Sequence, residues 1–392
     1  MGIQQPGVSV SPNTFAVQQQ ITESAVPLFI GFTETQPATL PAYVSTFADY
    51  ENLFGGPDPD AGGSVLYYAV RHFFDNGGQG GFIYSQGTYA ALQPPPETFI
   101  SLSDIFALTN AIAAEQSITL LAYPDSVLIP DDDAGQWQTY WQEMLKLCQV
   151  RSGLFAVLDA PDSPVHAKDT LASFTTLYGE WGGIWWPRLV TPYLEDNNPV
   201  TVPPSGAVLA AMQQTDGTRG VWSAPANIAL AQVTRPVYSW LEAEELFNPY
   251  GRSLNLIRSF PGRGTRIWGC RTLTSDDQSS FRYVQTRRVM SWCETNISNL
   301  ARMFVFEPNA ELTWYKLKGF TIMWLRELWQ QGGLYGEQEP QAYQVLLGLD
   351  ETMTQEDIQA GKMIMNIQLA LLAPAEFIEL NLVFMMNGEN AA

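Results

Sequence analysis

Pro203-Pro204-Ser205-Gly206 opens, and Ile267-Trp268-Gly269-Cys270-Arg271-Thr272-Leu273 closes, the stretch that decides how this chain is read. Between them stand Thr218-Arg219-Gly220-Val221-Trp222, Ala224-Pro225-Ala226-Asn227 and Ile257-Arg258-Ser259-Phe260-Pro261-Gly262-Arg263-Gly264. Few of these residues do covalent chemistry. The stretch holds glycines, which reach positive φ, prolines, which fix φ, tryptophans and arginines. Those residue types shape a backbone and hold an interface rather than assemble an active site.

Arginine extends past the stretch. Residues 252–288 carry eight arginines against only Asp276 and Asp277, in a 392-residue chain whose net charge is −20. Residues 1–200 carry five basic side chains (Arg71, Lys146, Arg151, Lys168, Arg188) against 21 acidic ones. The acidic balance argues against nucleic acid as a partner, because phosphate needs a basic footprint. A basic island in such a chain suits the acidic face of an identical neighbour or of another assembly component. Pairing with carboxylates of its own chain accounts for part of it. A composition of 46% hydrophobic and 15% charged residues belongs to a chain that folds, with length for two or three domains. The aromatic residues either fill a large core or are partly covered by partners.

Working outward, residues 1–24 carry no charge before Glu23, and Val8, Val10, Phe15 and Val17 alternate loosely around Pro6 and Pro12. Such a segment cannot bury itself. It suits an extended arm that completes another sheet, or a frayed terminus. From 25 to about 200, strands and helices alternate. Val26–Phe32, Phe82–Tyr84, Ile118–Ala122, Leu154–Leu158 and Ile184–Leu189 read as strands. Helical spacing joins Val65 to Phe73 with Gly77 as the stop, Ile105 to Ile112, Trp137 to Cys148, and Leu171 to Tyr178. That order predicts α/β layering on a largely parallel sheet, with Pro94-Pro95-Pro96 as a stiff linker. From 201 the alternation is lost. Short strands lead to Arg271, and helices are expected from about Val289 and from about Leu312 to Gln331. Asn309 is the expected cap of the second helix and Gly332 its stop. Two apolar runs, Met363–Leu372 and Phe377–Met386, read as a hairpin or as a strand followed by an arm.

Readings as an enzyme find little support. His72 lies in an amphipathic helix and His166 in a polar loop, and neither belongs to a triad or a metal motif. Cys148, Cys270 and Cys293 show no disulfide or zinc spacing and read as small apolar fillers. Asp131-Asp132-Asp133 lacks the spaced ligands of a calcium loop and reads as a solvated segment ahead of a helix. Gly262-Arg263-Gly264 is too short for a phosphate fingerprint. Glu307 and Glu376 could be paired catalytic carboxylates, but partnering nearby arginines is the better reading. No catalytic, cofactor or metal residue is assigned. The N-terminus shows no export signal, and no apolar run is long enough to insert across a membrane.

The central stretch resembles the contractile sheath proteins of phage tails, tailocins and phage-tail-like injection systems. So do Pro6-Gly7-Val8, Phe54-Gly55-Gly56, Phe73-Phe74-Asp75-Asn76-Gly77-Gly78, Arg287-Arg288, Phe306-Glu307-Pro308-Asn309 and Ala373-Pro374-Ala375-Glu376-Phe377-Ile378, in the same order. The crowded polar run Tyr250–Leu254, and Ser223, Ser279 and Ser280, depart from the family's usual residues and suggest one specialised paralogue among several. The resemblance implies a mixed α/β and α+β fold. An N-terminal linking arm would span 1–24, an α/β outer domain 25–200, an α+β inner sheath core 201–375, and a C-terminal strand or arm 376–392. The arms would be exchanged with neighbouring subunits, through Pro6, Gly7, Val8, Val10, Phe377 and Ile378. Arg252, Arg263, Arg266, Arg282, Arg287 and Arg288 are the expected contacts of the basic island to a neighbour or to an inner tube. The implied function is a structural subunit of a helical sheath of stacked rings. Its switch from extended to contracted would drive an inner tube into a target without nucleotide hydrolysis. Implied partners are further copies, the inner tube protein, sister sheath paralogues, and baseplate and tail-terminator proteins, in a phage-tail-like particle assembled in the cytoplasm. The rival readings are a non-contracting tail or baseplate protein, and a flavodoxin-like cytosolic enzyme with a polar ligand constellation at its strand C-termini.

Overall fold

A computed structural model of the chain describes residues 23–57, 65–92 and 102–376. The expected arm residues Pro6, Gly7, Val8, Val10, Phe377 and Ile378, and the Pro94–Pro96 linker, lie outside the described residues.

The first half alternates strands and helices as the periodicity predicts. Strand β1 (Pro27–Thr33) is buried along its whole length, as befits a strand covered on both faces. It is followed by β2 (Ala42–Val44), helices α1 (Phe47–Phe54) and α2 (Val65–Asp75), and β3 (Gly81–Thr88). A reciprocal capping box between Thr46 and Asp49 starts α1. Gly77, at φ 84°, follows the end of α2. Then come α3 (Leu102–Ala114), β4 (Leu120–Ala122), α4 (Ala134–Leu147), β5 (Phe155–Asp159), α5 (Pro164–Ser173) and β6 (Gly182–Trp186). The acidic run does more than solvate a loop. Asp133 caps α4 by accepting from the Gln136 amide at 3.0 Å, and Asp131 accepts from the amides of Asp162 and Ser163 at the start of α5, both at 2.9 Å.

Three local readings are corrected. Helix α5 ends at Ser173 and takes in His166, which was expected in a loop. Phe174 turns extended there and packs edge-on against Trp141 at 5.3 Å, while Leu177 is exposed. The apolar spacing of 171–178 is helical, but the core claims Phe174 first. The strand expected over Ile184–Leu189 is two strands. After β6 the chain restarts as β7 (Leu189–Glu195), which turns through Asp196 and Asn197, both at positive φ, into β8 (Asn198–Val202). Two residues at positive φ suit a tight hairpin turn.

Beyond residue 200 lies α6 (Ser205–Arg219), which the apolar pattern did not announce. Residues 205–212 are all buried, so the helix lacks the polar face that makes amphipathicity legible. Gly206 lets it approach α2, where a Cβ would lie 2.3 Å from the Ala69 carbonyl oxygen. Then follow β9 (Ile228–Ala229), β10 (Arg235–Pro236), α7 (Trp240–Ala243), β11 (Asn255–Phe260) and β12 (Gly264–Ile267).

Nine of these strands form one sheet in the order β2-β3-β1-β4-β5-β6-β11-β12-β9. Its middle is parallel, with β3, β1, β4, β5, β6 and β11 paired in turn. The pairing of Asn255 with Trp185 and Leu256 with Trp186 carries the sheet across the division expected at residue 200. Alternate residues of β1 serve opposite cores. Leu28 and Ile30 join Leu121, Trp137, Trp141 and Trp186 on one face, and Phe29 joins Phe54, Phe73, Trp185 and Val208 on the other.

The remaining chain forms a smaller layer. Helix α8 (Val284–Arg302) begins earlier than expected, and α9 (Glu311–Gln330) ends before Gly332 at φ 82°. Ala310 is the N-cap of α9, with no side-chain bond; Asn309 instead accepts from the Trp314 indole at 2.7 Å. After α10 (Glu339–Ala342), β13 (Tyr343–Leu346) and α11 (Gln355–Gln359), the first apolar run supplies β14 (Asn366–Leu369), which pairs antiparallel with β13.

Asp125, fully buried, ties β1 of the large sheet to the start of α2. Its carboxylate accepts from the Phe32 amide at 2.6 Å and from the Leu66 amide at the start of α2 at 2.9 Å. Gly31 leaves the room, since a Cβ there would sit 2.5 Å from the carboxylate. Asp125→Ala leaves two buried amides unpaired, each costing about 1–3 kcal/mol. Urea unfolding of this variant should therefore show a loss of about 3 kcal/mol, and an unchanged midpoint would contradict the role given to Asp125.

Candidate functional site

Two buried arginines sit where the described chain begins and ends. Arg288 lies on the first turns of α8, its side chain 3% exposed. Its Nη1 donates to Asp216 Oδ1 at 3.1 Å, and its Nη2 donates to Asp216 Oδ2 at 2.6 Å and to the Ser24 carbonyl at 2.9 Å. Ser24 Oγ donates to the same Asp216 Oδ2 at 2.5 Å. One carboxylate near the end of α6 and one guanidinium on α8 thus hold residue 24 against the body.

Arg271 holds the other end, its side chain 2% exposed. Its Nε and Nη2 donate to the two oxygens of Glu376 at 2.8 and 2.6 Å, a bidentate fork of the kind a planar guanidinium favours. Nη1 donates to the Asn248 carbonyl at 2.6 Å, and the guanidinium lies 4.6 Å from the centre of the Phe247 ring. Tyr283 OH adds a bond to Glu376 Oε2 at 3.0 Å. Asn255 fixes the backbone of Arg271, accepting from its amide at 2.6 Å and donating to its carbonyl at 2.8 Å. The predicted partnership of Glu376 with an arginine is met here. Glu307 is exposed and makes no ion pair among the described residues. Arg271 itself was missed as a site residue; its one signal was membership of the basic island.

The six island arginines singled out from sequence do not form one surface. Arg287 is sandwiched between the rings of Trp181 and Phe281 at 4.2 and 4.3 Å and faces Glu180 and Glu294, each at 3.4 Å. Arg287 and Arg288 are therefore engaged inside the subunit and offer a neighbour no exposed charge. Arg252 donates to the carbonyls of Phe174 and Leu273, and Arg282 to those of Asp277 and Pro249. Only Arg263 and Arg266 are brought together near the surface, both donating to Asn227.

His72 and the three cysteines are buried. The Nε2 of His72 is 3.1 Å from the Ala231 carbonyl, and burial lowers the His72 pKa to about 4. The three thiols are free and buried, and burial raises those of Cys270 and Cys293 to about 12. The C-terminal ends of parallel strands are the usual ligand position in such sheets. Here that edge holds Asp125 and Asp159, both buried, and both serve helix starts; Asp159 accepts from the Ser205 amide of α6 at 3.1 Å.

Residues 276–385 match the family model described as the phage tail sheath C-terminal domain. Among solved structures, the chain is similar to a protein from the anti-feeding prophage (AFP) baseplate in contracted state. The two are 38% identical, with a TM-score of 0.83, covering 99% of this chain and 100% of that one. A protein of the PVC sheath complex of an extracellular contractile injection system, in contracted state, is 30% identical, with a TM-score of 0.75 and 98% of each chain covered. A protein of the AFP helical sheath in contracted state is 31% identical, with a TM-score of 0.74, covering 97% of this chain and 99% of that one. Among curated protein sequences none matches.

Removing the Arg288 guanidinium strands Asp216, whose side chain is 5% exposed. Breaking a buried ion pair costs about 3–5 kcal/mol. Arg288→Met is expected to lose that much in urea unfolding and to become sensitive to protease near Ser24. A variant as stable as the parent would show that the pair does not hold this end.

Proposed function

The chain belongs to the contractile tail sheath family and is a subunit of a contractile sheath, and we propose that its two ends are the linking arms through which copies hold one another. The observation that carries this reading is the anchoring on the body of Ser24, at the end of the expected N-terminal arm, by Arg288 and Asp216, and of Glu376, at the start of the expected C-terminal arm, by Arg271. Chain continuing from a fixed root transmits tension to the core instead of peeling away. An acceptor is present as well. In the two-stranded sheet of β13 and β14, each strand keeps one edge without a strand partner among the described residues. Such an edge takes up an extended segment by completing its backbone hydrogen bonds.

Mechanically, the arms would stay connected while compact bodies slide and rotate about them. Interfaces re-form in the contracted lattice, so energy stored in subunit contacts drives an inner tube forward with no nucleotide consumed. The partners inferred are further copies stacked in rings, the inner tube protein, sister sheath paralogues, and baseplate and tail-terminator proteins. The particle is assembled in the cytoplasm. The subunit's role is structural, without catalytic turnover, which fits the engagement of His72 and the three buried thiols in packing. The outer α/β region carries the acidic surface, and like charge keeps such a particle soluble.

Deleting residues 1–20 tests the arms directly. The truncated chain is expected to remain soluble, to melt within a few degrees of the parent, and to form no long tubes in negative-stain electron microscopy. Tubes of normal length from the truncated chain would overturn the reading.

A further inference from the structure

Strands β11 and β12 are joined by a turn whose residues 261–264 are exposed. Phe260-Pro261-Gly262-Arg263-Gly264 closes with the Arg263 amide donating to the Phe260 carbonyl at 3.0 Å. Gly262 and Gly264 take φ of 70° and 71°, with no heavy atom within 4 Å of where a Cβ would be. Below the turn, Arg266 is held by three donations: Nε to the Arg263 carbonyl at 3.1 Å, and Nη1 to the Asn227 carbonyl at 2.8 Å and to Asn227 Oδ1 at 3.4 Å. Arg263 Nη2 donates to the same Asn227 Oδ1 at 3.1 Å. Two guanidinium groups therefore converge on one neutral oxygen. Neither makes an ion pair among the described residues, although the chain carries 40 acidic side chains. Asn227 is itself fixed, at φ 58°, with its amide donating to the Ile267 carbonyl at 2.7 Å.

We propose that Arg263 and Arg266, aligned by Asn227, form a receptor for one carboxylate of a second copy of this chain. Two like charges held side by side repel, and an incoming carboxylate relieves that repulsion while accepting from both forks. The alignment is already made by Asn227 and by the Arg263 carbonyl, so little side-chain freedom is lost on binding. Charge names the partner. Residues 1–200 hold 21 acidic against five basic side chains, so an identical neighbour presents carboxylates in excess. The inference rests on the reading that copies assemble with one another, and it adds which chemistry one contact uses.

Asn227→Asp makes the decisive variant, because it places a carboxylate of the same shape between the two arginines and fills the receptor from within. Purified protein is assembled without inner tube, alongside Arg263→Glu/Arg266→Glu and Arg263→Lys/Arg266→Lys, and melting is followed in parallel. Asn227→Asp is expected to melt no earlier than the parent and yet to need about tenfold more protein to form tubes. The glutamate pair should assemble worse, the lysine pair in between, and salt should weaken the parent more than Asn227→Asp. Parent protein that forms no tubes would count against self-assembly itself. Parent tubes with equally good tubes from Asn227→Asp would overturn the receptor alone. Normal tube-free assembly with failure only on inner tubes would make the occupant the tube protein and overturn the second-copy assignment.

Discussion

A guanidinium taken out of water must be surrounded by acceptors, and at Arg271 and Arg288 that requirement fixes both ends of the body. Neither arginine is neutralised by a neighbour in sequence. Asp216 reaches Arg288 across 72 positions and Glu376 reaches Arg271 across 105. Each pair joins residues far apart in the chain, so each reports a completed fold. Each also holds a residue remote in sequence against the body, Ser24 through its carbonyl and Glu376 through its carboxylate. A buried pair of this kind adds little to stability over an apolar substitute, but it is costly to break. That asymmetry suits the proposed role of these residues as roots of linking arms.

The Arg271 anchor is continuous with the large sheet. Its parallel strands are covered on both faces, so β1 sends Leu28 and Ile30 into one core and Phe29 into the other. The same sheet continues from β6 to β11. Force applied at Arg271, just beyond β12, therefore enters a single hydrogen-bonded layer that reaches to β2. The smaller layer of α8, α9 and β13–β14 is built on a separate core around Val289, Trp324, Leu325 and Val345. It bears both the Arg288 anchor and the strand edges proposed to take up a neighbour's arm. The Arg288 anchor and the strand edges free among the described residues therefore lie on elements that share one small layer.

Much of this was legible in residue order. Regular alternation of apolar runs and helical spacing over residues 25–200 determined an α/β layer, because a strand buried on both faces and a helix with one wet face leave different periodicities. The ordered motifs from Pro6-Gly7-Val8 to Ala373–Ile378 determined the family. Local chemistry was readable too: Gly77 and Gly332 as helix stops, Asp133 as part of a loop before a helix, and Glu376 as a partner for arginine. What periodicity could not show was α6, whose contacts on several sides erase the signal, or the break at Pro187 between β6 and β7. The basic island was visible as composition, but its division was not. Whether an arginine lies between Trp181 and Phe281, forks onto Glu376 or stands beside Asn227 at an exposed turn depends on which distant elements fold over it. Charge along the sequence counts ions, whereas burial and partner choice are set by contacts between residues far apart in the chain, and only the tertiary structure brings those residues together.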